Sequence, residues 1–490
     1  MKILDCTLRD GGYYTKWHFT DEIVFNYLKL IEKLPINYIE IGYLNPKIEG
    51  FFGRYYFLEK KIIKKIKSLT SKKIAVMIDA KNFDYNNDVS VYSDIDLVRV
   101  AINPNQFEAG LKVIKHLNKM GLKIAGNVMY GGSWNNIKNI YTNISKLTKL
   151  VNYTYIVDSY GSLDQNKMNQ IFQKIDLNNN IFGFHGHDNL SLGLSNTIHA
   201  LKNGCEIVDS TVTGMGRGSG NLKTELLLTY FDKLNDNFKI DYFALSSLVN
   251  LFDPLQKKYN WGQNLAYMVT GKYNIEQSKV MEEITLGRSS IKTIVNNLFK
   301  IDYKLKEAGN QKVANVLLIA GGNSVLENIK PIKEWIVKNR GDVLLVFVGL
   351  KHYNLFKDLN CDKILVITGT EIERIDFKLN KDCTIITCED YSTTLITNEM
   401  VRNSFYVKNL LFDKTYEKSH SSIALNFIEK TKCNKIFCVG YDGYENMTER
   451  QRELFLENLQ LFSSFKTPII SLTQSSYPTL HKDSIFKYLL

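Results

Sequence analysis

The chain has 490 residues, of which 44% are hydrophobic and 23% charged, and carries a net charge of +11 at neutral pH. This is too long for one ordinary domain, and the balance is that of a soluble globular protein rather than a disordered or fibrous one. The basic residues are spread along the chain. Their densest cluster, Lys60-Lys61-Ile62-Ile63-Lys64-Lys65-Ile66-Lys67, has helical spacing and reads as a solvated helix face, so nucleic-acid binding is not expected.

Up to residue 230 the pattern alternates without a break. Strands are predicted at 2–7, 37–43, 73–79, 97–102, 123–130, 153–160, 180–188 and 206–212. Helical periodicity lies between them at 21–33, 56–69, 106–120, 137–150, 165–175 and 191–203, with a shorter link at 85–92 and a helix at 221–233 after the last strand. Strands separated by long crossovers pair in parallel, and this count and size predict a (β/α)8 barrel over residues 1–235. Residues 236–303 read as a helical extension set against the barrel mouth, and the polar stretch 304–313 as a linker. From 314 to 490 a second α/β pattern follows, with strands at 316–320, 343–348, 363–368, 384–388 and 435–440 and a long amphipathic helix at 449–462. It predicts a doubly wound, Rossmann-like parallel sheet.

The chain opens directly into a predicted strand without a basic-then-apolar leader, and no apolar run is long enough to span a membrane. The seven cysteines are scattered, mostly within apolar strand-like runs. An odd count without framework spacing predicts reduced thiols and a cytoplasmic location.

A barrel of this kind carries its chemistry at the carboxyl ends of its strands. Strand 1 ends in Arg9-Asp10, a cation beside a carboxylate, followed by Gly11-Gly12 and then Tyr13 and Tyr14. Glu40 lies on strand 2, Arg99 on strand 4 and Asn127 on strand 5, while Asp158 ends strand 6. Strand 7 carries His185 and His187, which at i and i+2 point to one face about 6–7 Å apart along the strand. Strands 1 and 7 both flank strand 8 in a closed barrel, so Asp10 and the histidines can share one centre. Two imidazoles and a carboxylate make a three-ligand divalent-metal site with positions left for water or substrate. Strand 8 leads into Gly214-Met215-Gly216-Arg217-Gly218-Ser219-Gly220-Asn221, and the helical extension offers Tyr267. In the second domain, Gly321-Gly322-Asn323-Ser324 follows a buried strand and precedes an expected helix, a turn that could cradle a phosphate.

The segment Leu4-Asp5-Cys6-Thr7-Leu8-Arg9-Asp10-Gly11-Gly12, the His185-x-His187 pair and the 214–221 loop together resemble the DRE-TIM metallolyase superfamily. The 4-hydroxy-2-oxovalerate aldolase branch is the nearest in pattern. The resemblance covers about residues 1–300 and implies a divalent ion, manganese or magnesium, with zinc or cobalt as other options. Residues matching Asp10, His185 and His187 would hold it, with Asn221 completing or approaching the sphere and Arg9 steadying an enolate oxygen. The substrates implied are a 2-oxo acid and an aldehyde. Where that branch commonly carries a histidine, this chain has Tyr13, so either a metal-bound water, Tyr13, Tyr14 or another group such as His18 handles the proton, or the preferred substrate differs. Other readings are a Claisen-type acyl-CoA/2-oxo acid transferase, or a non-catalytic barrel serving a C-terminal transferase. Residues Gly321–Ser324 and Val439-Gly440-Tyr441-Asp442 more faintly resemble the nucleotide-binding domains of sugar-modifying transferases. That implies a nucleotide or nucleotide-sugar ligand, and its fusion to an aldolase-like barrel suggests surface-polysaccharide or nucleotide-sugar metabolism; the sequence does not fix whether the chain forms a homo-oligomer.

Overall fold

A computed structural model describes residues 1–47, 52–85, 89–233, 238–286, 291–299, 305–310, 312–368, 371, 383–389, 404–444 and 447–489. The chain divides into two compact units, Met1–Thr285 and Leu286–Leu490. No helix among the described residues is long and apolar enough to cross a membrane.

In the first unit eight short strands close into a barrel: β1 (Lys2–Asp5), β2 (Tyr38–Tyr43), β3 (Lys73–Asp79), β4 (Leu97–Ile102), β5 (Ile124–Val128), β6 (Tyr153–Asp158), β7 (Phe182–Gly186) and β8 (Ile207–Ser210). Every neighbouring pair is parallel, and β1 closes on β8 with Leu4 opposite Asp209. The crossovers are helices wherever the sequence shows a 3.6-residue period. Helix Lys60–Lys67, for instance, buries Ile63 and Ile66 and leaves most of its lysines in water. The third crossover instead has the 3-10 turns Ala80–Asn82 and Val89–Asp94, the short link read from the sequence.

Strand alternation sorts the side chains. Ile3, Ile39, Ile74, Val98 and Ile156 pack outward into the strand–helix layer. Leu4, Tyr38, Ala75, Leu97, Ala125, Tyr153 and Ile207 belong to a separate cluster that fills the barrel. Two residues further along the same faces come Glu40, Arg99, Asn127, Tyr155, His185 and Asp209, all buried. An apolar floor thus carries a polar layer one step nearer the strands' carboxyl ends. Helices Tyr242–Tyr259, Leu265–Tyr273 and Gln277–Leu286 complete the unit. The expected boundary at 235–236 and the expected linker start at 304 lie outside the described residues.

The second unit is a nine-stranded, wholly parallel sheet: β9 (Lys306–Glu307), β10 (Asn315–Ile319), β11 (Val343–Val348), β12 (Lys363–Val366), β13 (Thr384–Cys388), β14 (Ser404–Val407), β15 (Lys435–Val439), β16 (Ile469–Ser471) and β17 (His481–Lys482). Their order is β17-β16-β15-β10-β11-β12-β13-β14-β9, so the winding reverses at β10. One expectation needs correcting. Lys306–Glu307, read as linker, pairs with Phe405 and Tyr406 as an edge strand; two exposed charged residues carry no strand signature until the edge of β14 gives them a partner. None of the seven cysteines, all among the described residues, forms a disulfide.

Candidate metal centre at the barrel mouth

The geometry starts where β1 ends. Asp5 accepts from the Thr7 amide at 3.0 Å, the Tyr27 hydroxyl at 2.8 Å and the Thr224 hydroxyl at 2.7 Å. The chain therefore stops extending and winds into the helical turn Thr7–Asp10, which carries Arg9 and Asp10 over the barrel. Gly12 lets the next turn close against Trp17, whose indole lies 2.1 Å from where a Cβ would stand. That indole N–H donates to the Arg9 carbonyl at 2.8 Å.

Six side chains then link in a closed ring, three carboxylates alternating with two arginines and a histidine. Arg9 pairs with Asp10 and, through Nε, with Glu40 at 2.7 Å. Glu40 also takes Arg99 at 3.0 Å, and Arg99 reaches Asp209 on β8 while stacking over the Tyr155 ring, 4.3 Å from its centroid. Asp209 holds His185 Nδ1 at 2.8 Å, and His185 Nε2 faces Asp10 at 3.4 Å, closing the ring. With Nδ1 donating to Asp209, Nε2 is the atom left with a lone pair toward Asp10. The ring is buried throughout, so each charge depends on its neighbours for compensation.

His187 completes the group. Ligand atoms of Asp10, His185 and His187 all lie within 4.8 Å of one another. The 214–221 loop returns along β7: His187 forms a bridge with Asn221, and Asp188 N–H donates to the Gly220 carbonyl at 2.9 Å. Gly220 adopts φ +83°, and a Cβ there would lie 1.9 Å from the Gly214 carbonyl oxygen, so this turn admits only glycine. It brings the Asn221 amide onto the Asp10 carboxylate.

The electrostatics favour a cation. Burial alone would raise the Asp10 carboxyl, but the Arg9 guanidinium, the largest of the opposing influences, together with the Asn221 amide holds the group below the usual carboxylate range. Burial, with His185 and the nearby arginines, holds the His187 imidazole well below its ordinary value, hence neutral and able to coordinate. Two buried polar atoms at this point lack a hydrogen-bond partner, His187 Nδ1 and Asn221 Oδ1. Carboxylate, two imidazoles and an amide oxygen are a donor set that fits a divalent ion. Cys6, His185 and Asp209 form a second close group, but burial pushes the Cys6 thiol well up and Asp209 is already committed to Arg99 and His185.

The remaining sequence-predicted residues divide by what they touch. Glu40 takes both arginines on Oε2, while its Oε1 is buried without a partner, so it faces the guanidinium groups rather than the metal-ligand group. Asp158, pushed up to about 6 by burial, accepts from the Ser162 and Leu163 amides with its two oxygens, closing the turn after β6. Tyr14 donates to the Gly218 carbonyl at 2.7 Å and lies 3.4 Å from the Tyr267 hydroxyl. Burial pushes both phenols up, Tyr267 to about 12, so neither is a base near neutral pH. Tyr13 meets Tyr43 hydroxyl to hydroxyl at 3.2 Å. His18 is exposed and outside the buried ring. Sequence pattern marks Arg99 only as a polar strand residue and Arg217 only as part of the 214–221 loop, and it misses Asp209 and Tyr43; the available signal for Asp209, as for Arg99, is a polar residue at an inward position of a predicted strand.

In the second unit, two amides of the Gly321–Ser324 turn are already taken by the protein. Ser324 N–H donates to the Asp442 carboxylate at 2.8 Å and Gly322 N–H to the Gly440 carbonyl at 2.8 Å. A carboxylate therefore stands where the phosphate was expected, and the helix that follows, Ser324–Glu327, is a single turn.

Residues 1–252 match the family model described as HMGL-like. The 4-hydroxy-2-oxovalerate aldolase of Bacillus cereus is 26% identical over 256 residues, spanning 50% of this chain and 73% of that protein. The same-named protein of Chloroflexus aurantiacus is 26% identical over 255 residues, with the same shares. Among solved structures, the N-terminal domain of a candidate aldolase from Bacteroides vulgatus is 36% identical, with a TM-score of 0.56, covering 60% of this chain and 99% of that one.

Proposed function

Because the chain belongs to the HMGL-like family, we propose that it is a divalent-metal-dependent aldolase, making or breaking a carbon–carbon bond beside a 2-oxo acid. The observation that carries this reading is the group Asp10, His185 and His187, its ligand atoms within 4.8 Å of one another, locked to Arg9 by one ring of buried charges. Asp10, His185, His187 and Asn221 would hold the ion. Mn2+ suits two imidazoles with two oxygen donors better than Mg2+, which prefers oxygen alone. When bound, the ion supplies Lewis acidity toward the oxygens of a 2-oxo acid.

The chain's own residues do the rest. In cleavage the 4-hydroxyl of the substrate gives up its proton and the C3–C4 electron pair moves into the enolate of the 2-oxo acid. The aldehyde leaves, and the enolate is then protonated at C3. Arg9, its guanidinium oriented by Asp10 and Glu40, places a fixed charge at the developing enolate oxygen without reorganising. Tyr14 and Tyr267 are tied up with each other and the Gly218 carbonyl, so we assign the 4-hydroxyl proton to a relay through the Tyr13–Tyr43 hydroxyl pair that delivers it to solvent at the mouth; burial pushes the Tyr43 phenol up as well, so the pair passes the proton on rather than keeping it. Preservation of ligands, cation and the carboxylates that orient them speaks against a purely structural barrel. For the second unit, a Rossmann-like reading rests on the reversal of strand order at β10; any ligand belongs at that reversal rather than on the Ser324 amide, which Asp442 already holds.

Metal analysis of the purified protein, followed by pyruvate-release assays on 4-hydroxy-2-oxo acids, tests the reading. His185→Ala combined with His187→Ala should lose metal and turnover together. Full metal content in that double variant would remove the assignment.

A further inference from the structure

Three arginines approach the barrel mouth, and they are not equivalent. Arg9 and Arg99 are each bound by two carboxylates. Arg217, from the loop after β8, forms no ion pair and no side-chain hydrogen bond with any described residue, and its Nε is shut off from water without a partner. The residue as a whole is partly exposed.

Its surroundings are hydroxyl-bearing rings. The guanidinium carbon lies 5.4 Å from the centroid of the Tyr13 ring, and Tyr13 in turn meets the Tyr43 hydroxyl. Arg217 also couples electrostatically to Tyr130 and to Asp10, which sets it beside the metal ligands rather than on the outer surface. Tyr130 packs on Tyr160 at 5.1 Å between ring centroids. A guanidinium held by aromatic faces and lacking a carboxylate is costly to keep in a folded protein unless an anion arrives to satisfy it. A planar fork of N–H donors fits a carboxylate or a phosphate.

We propose that Arg217 recognises an anionic group at the far end of the aldehyde, so that the substrate class is an aldehyde bearing a carboxylate or phosphate, or the corresponding acidic 4-hydroxy-2-oxo acid. This rests on the aldolase reading above. The 2-oxo acid's own carboxylate is expected next to Asp10 and the histidines, where Arg9 already supplies a cation. Arg217 enters from another strand end, on the side of Tyr13, where the partner aldehyde must sit if the Tyr13–Tyr43 pair handles its oxygen.

The experiment compares matched aldehydes in pyruvate addition: succinic semialdehyde against butanal, and glyceraldehyde 3-phosphate against glyceraldehyde. The anionic member of at least one pair should be preferred in kcat/KM, and the two pairs separate carboxylate from phosphate. Arg217→Gln should shrink that preference by about 10- to 150-fold, the range for one hydrogen bond to a charged group. Arg217→Lys should restore part of it. Equal losses for charged and neutral aldehydes would overturn the proposal and assign Arg217 to the 2-oxo acid. A second measurement stands apart from turnover: calorimetric titration of the full-length protein with inorganic phosphate and with succinate. Binding of either that weakens at least about tenfold in Arg217→Gln supports the assignment, even if no aldol reaction is found and the aldolase reading fails. Binding indifferent to Arg217, or none, overturns it.

Discussion

Asp209→Asn isolates the charge that orients the metal-facing histidine. The Asp209 oxygen that takes Arg99 is also the one that takes His185, so an asparagine in the same rotamer keeps an accepting oxygen in place and removes only the charge. A carboxylate behind a ligand histidine contributes about 10- to 100-fold in metal affinity, and the apparent Kd for Mn2+ should rise by that factor. Arg99 also loses one of its two counter-charges. Removing one partner of a buried pair costs about 3–5 kcal/mol, and for a unit of this size about 2 °C of Tm goes with each kcal/mol. The expected fall in the melting temperature of the metal-free protein is therefore about 6–10 °C. Glu40→Gln is the control, because Glu40 touches Arg9 and Arg99 but no ligand. It should lower Tm comparably while changing metal affinity far less, its kinetic cost appearing in kcat through Arg9. Chelator competition and calorimetry on both variants decide. Wild-type metal affinity in Asp209→Asn, or an equal affinity loss in Glu40→Gln, would refute the orienting role.

Arg9→Lys should lower kcat by about 100- to 1000-fold with little change in KM, since a point charge cannot hold Asp10 and Glu40 and still face the enolate; steady-state kinetics check this. Gly220→Ala forces a Cβ onto the Gly214 carbonyl and should displace Asn221, reducing metal affinity in the same chelator assay. Asp158 carries its folded-state value up to about 6 because its ionised form is buried, so it favours folding below the unfolded carboxylate range and loses that contribution as pH rises from about 4 to about 6. The stability difference between wild type and Asp158→Asn, measured by urea unfolding, should shift against the wild type across that window. A chain ending at Leu286 should fold and bind metal, because helix Gln277–Leu286 seats Gln277 on Asn189 at 3.2 Å and accepts the Gly218 amide through Met281; circular dichroism and metal content report on it.

The barrel was readable because each of its strands is a buried run between turn residues, and the ligands because His185 and His187 sit two apart on one strand face. Boundaries were less readable. The first strand stops at Asp5 instead of residue 7 because the Asp5 carboxylate caps Thr7, a local hydrogen bond that competes with the sheet. The ring of charges was hidden for a different reason: Glu40 and Arg99 stand 59 residues apart, Arg99 and Asp209 110, and only barrel closure joins them. The Gly321–Ser324 turn shows the converse error. Its shape was legible, but the carboxylate that fills it comes from Asp442, 118 residues later, across the β10–β15 pairing. Local pattern announces where backbone groups will be left open, and topology decides whether the protein or a ligand satisfies them. The same distinction separates Arg99 from Arg217: the fold brings carboxylates to the first, within β4, and leaves the second, in the loop after β8, to the substrate.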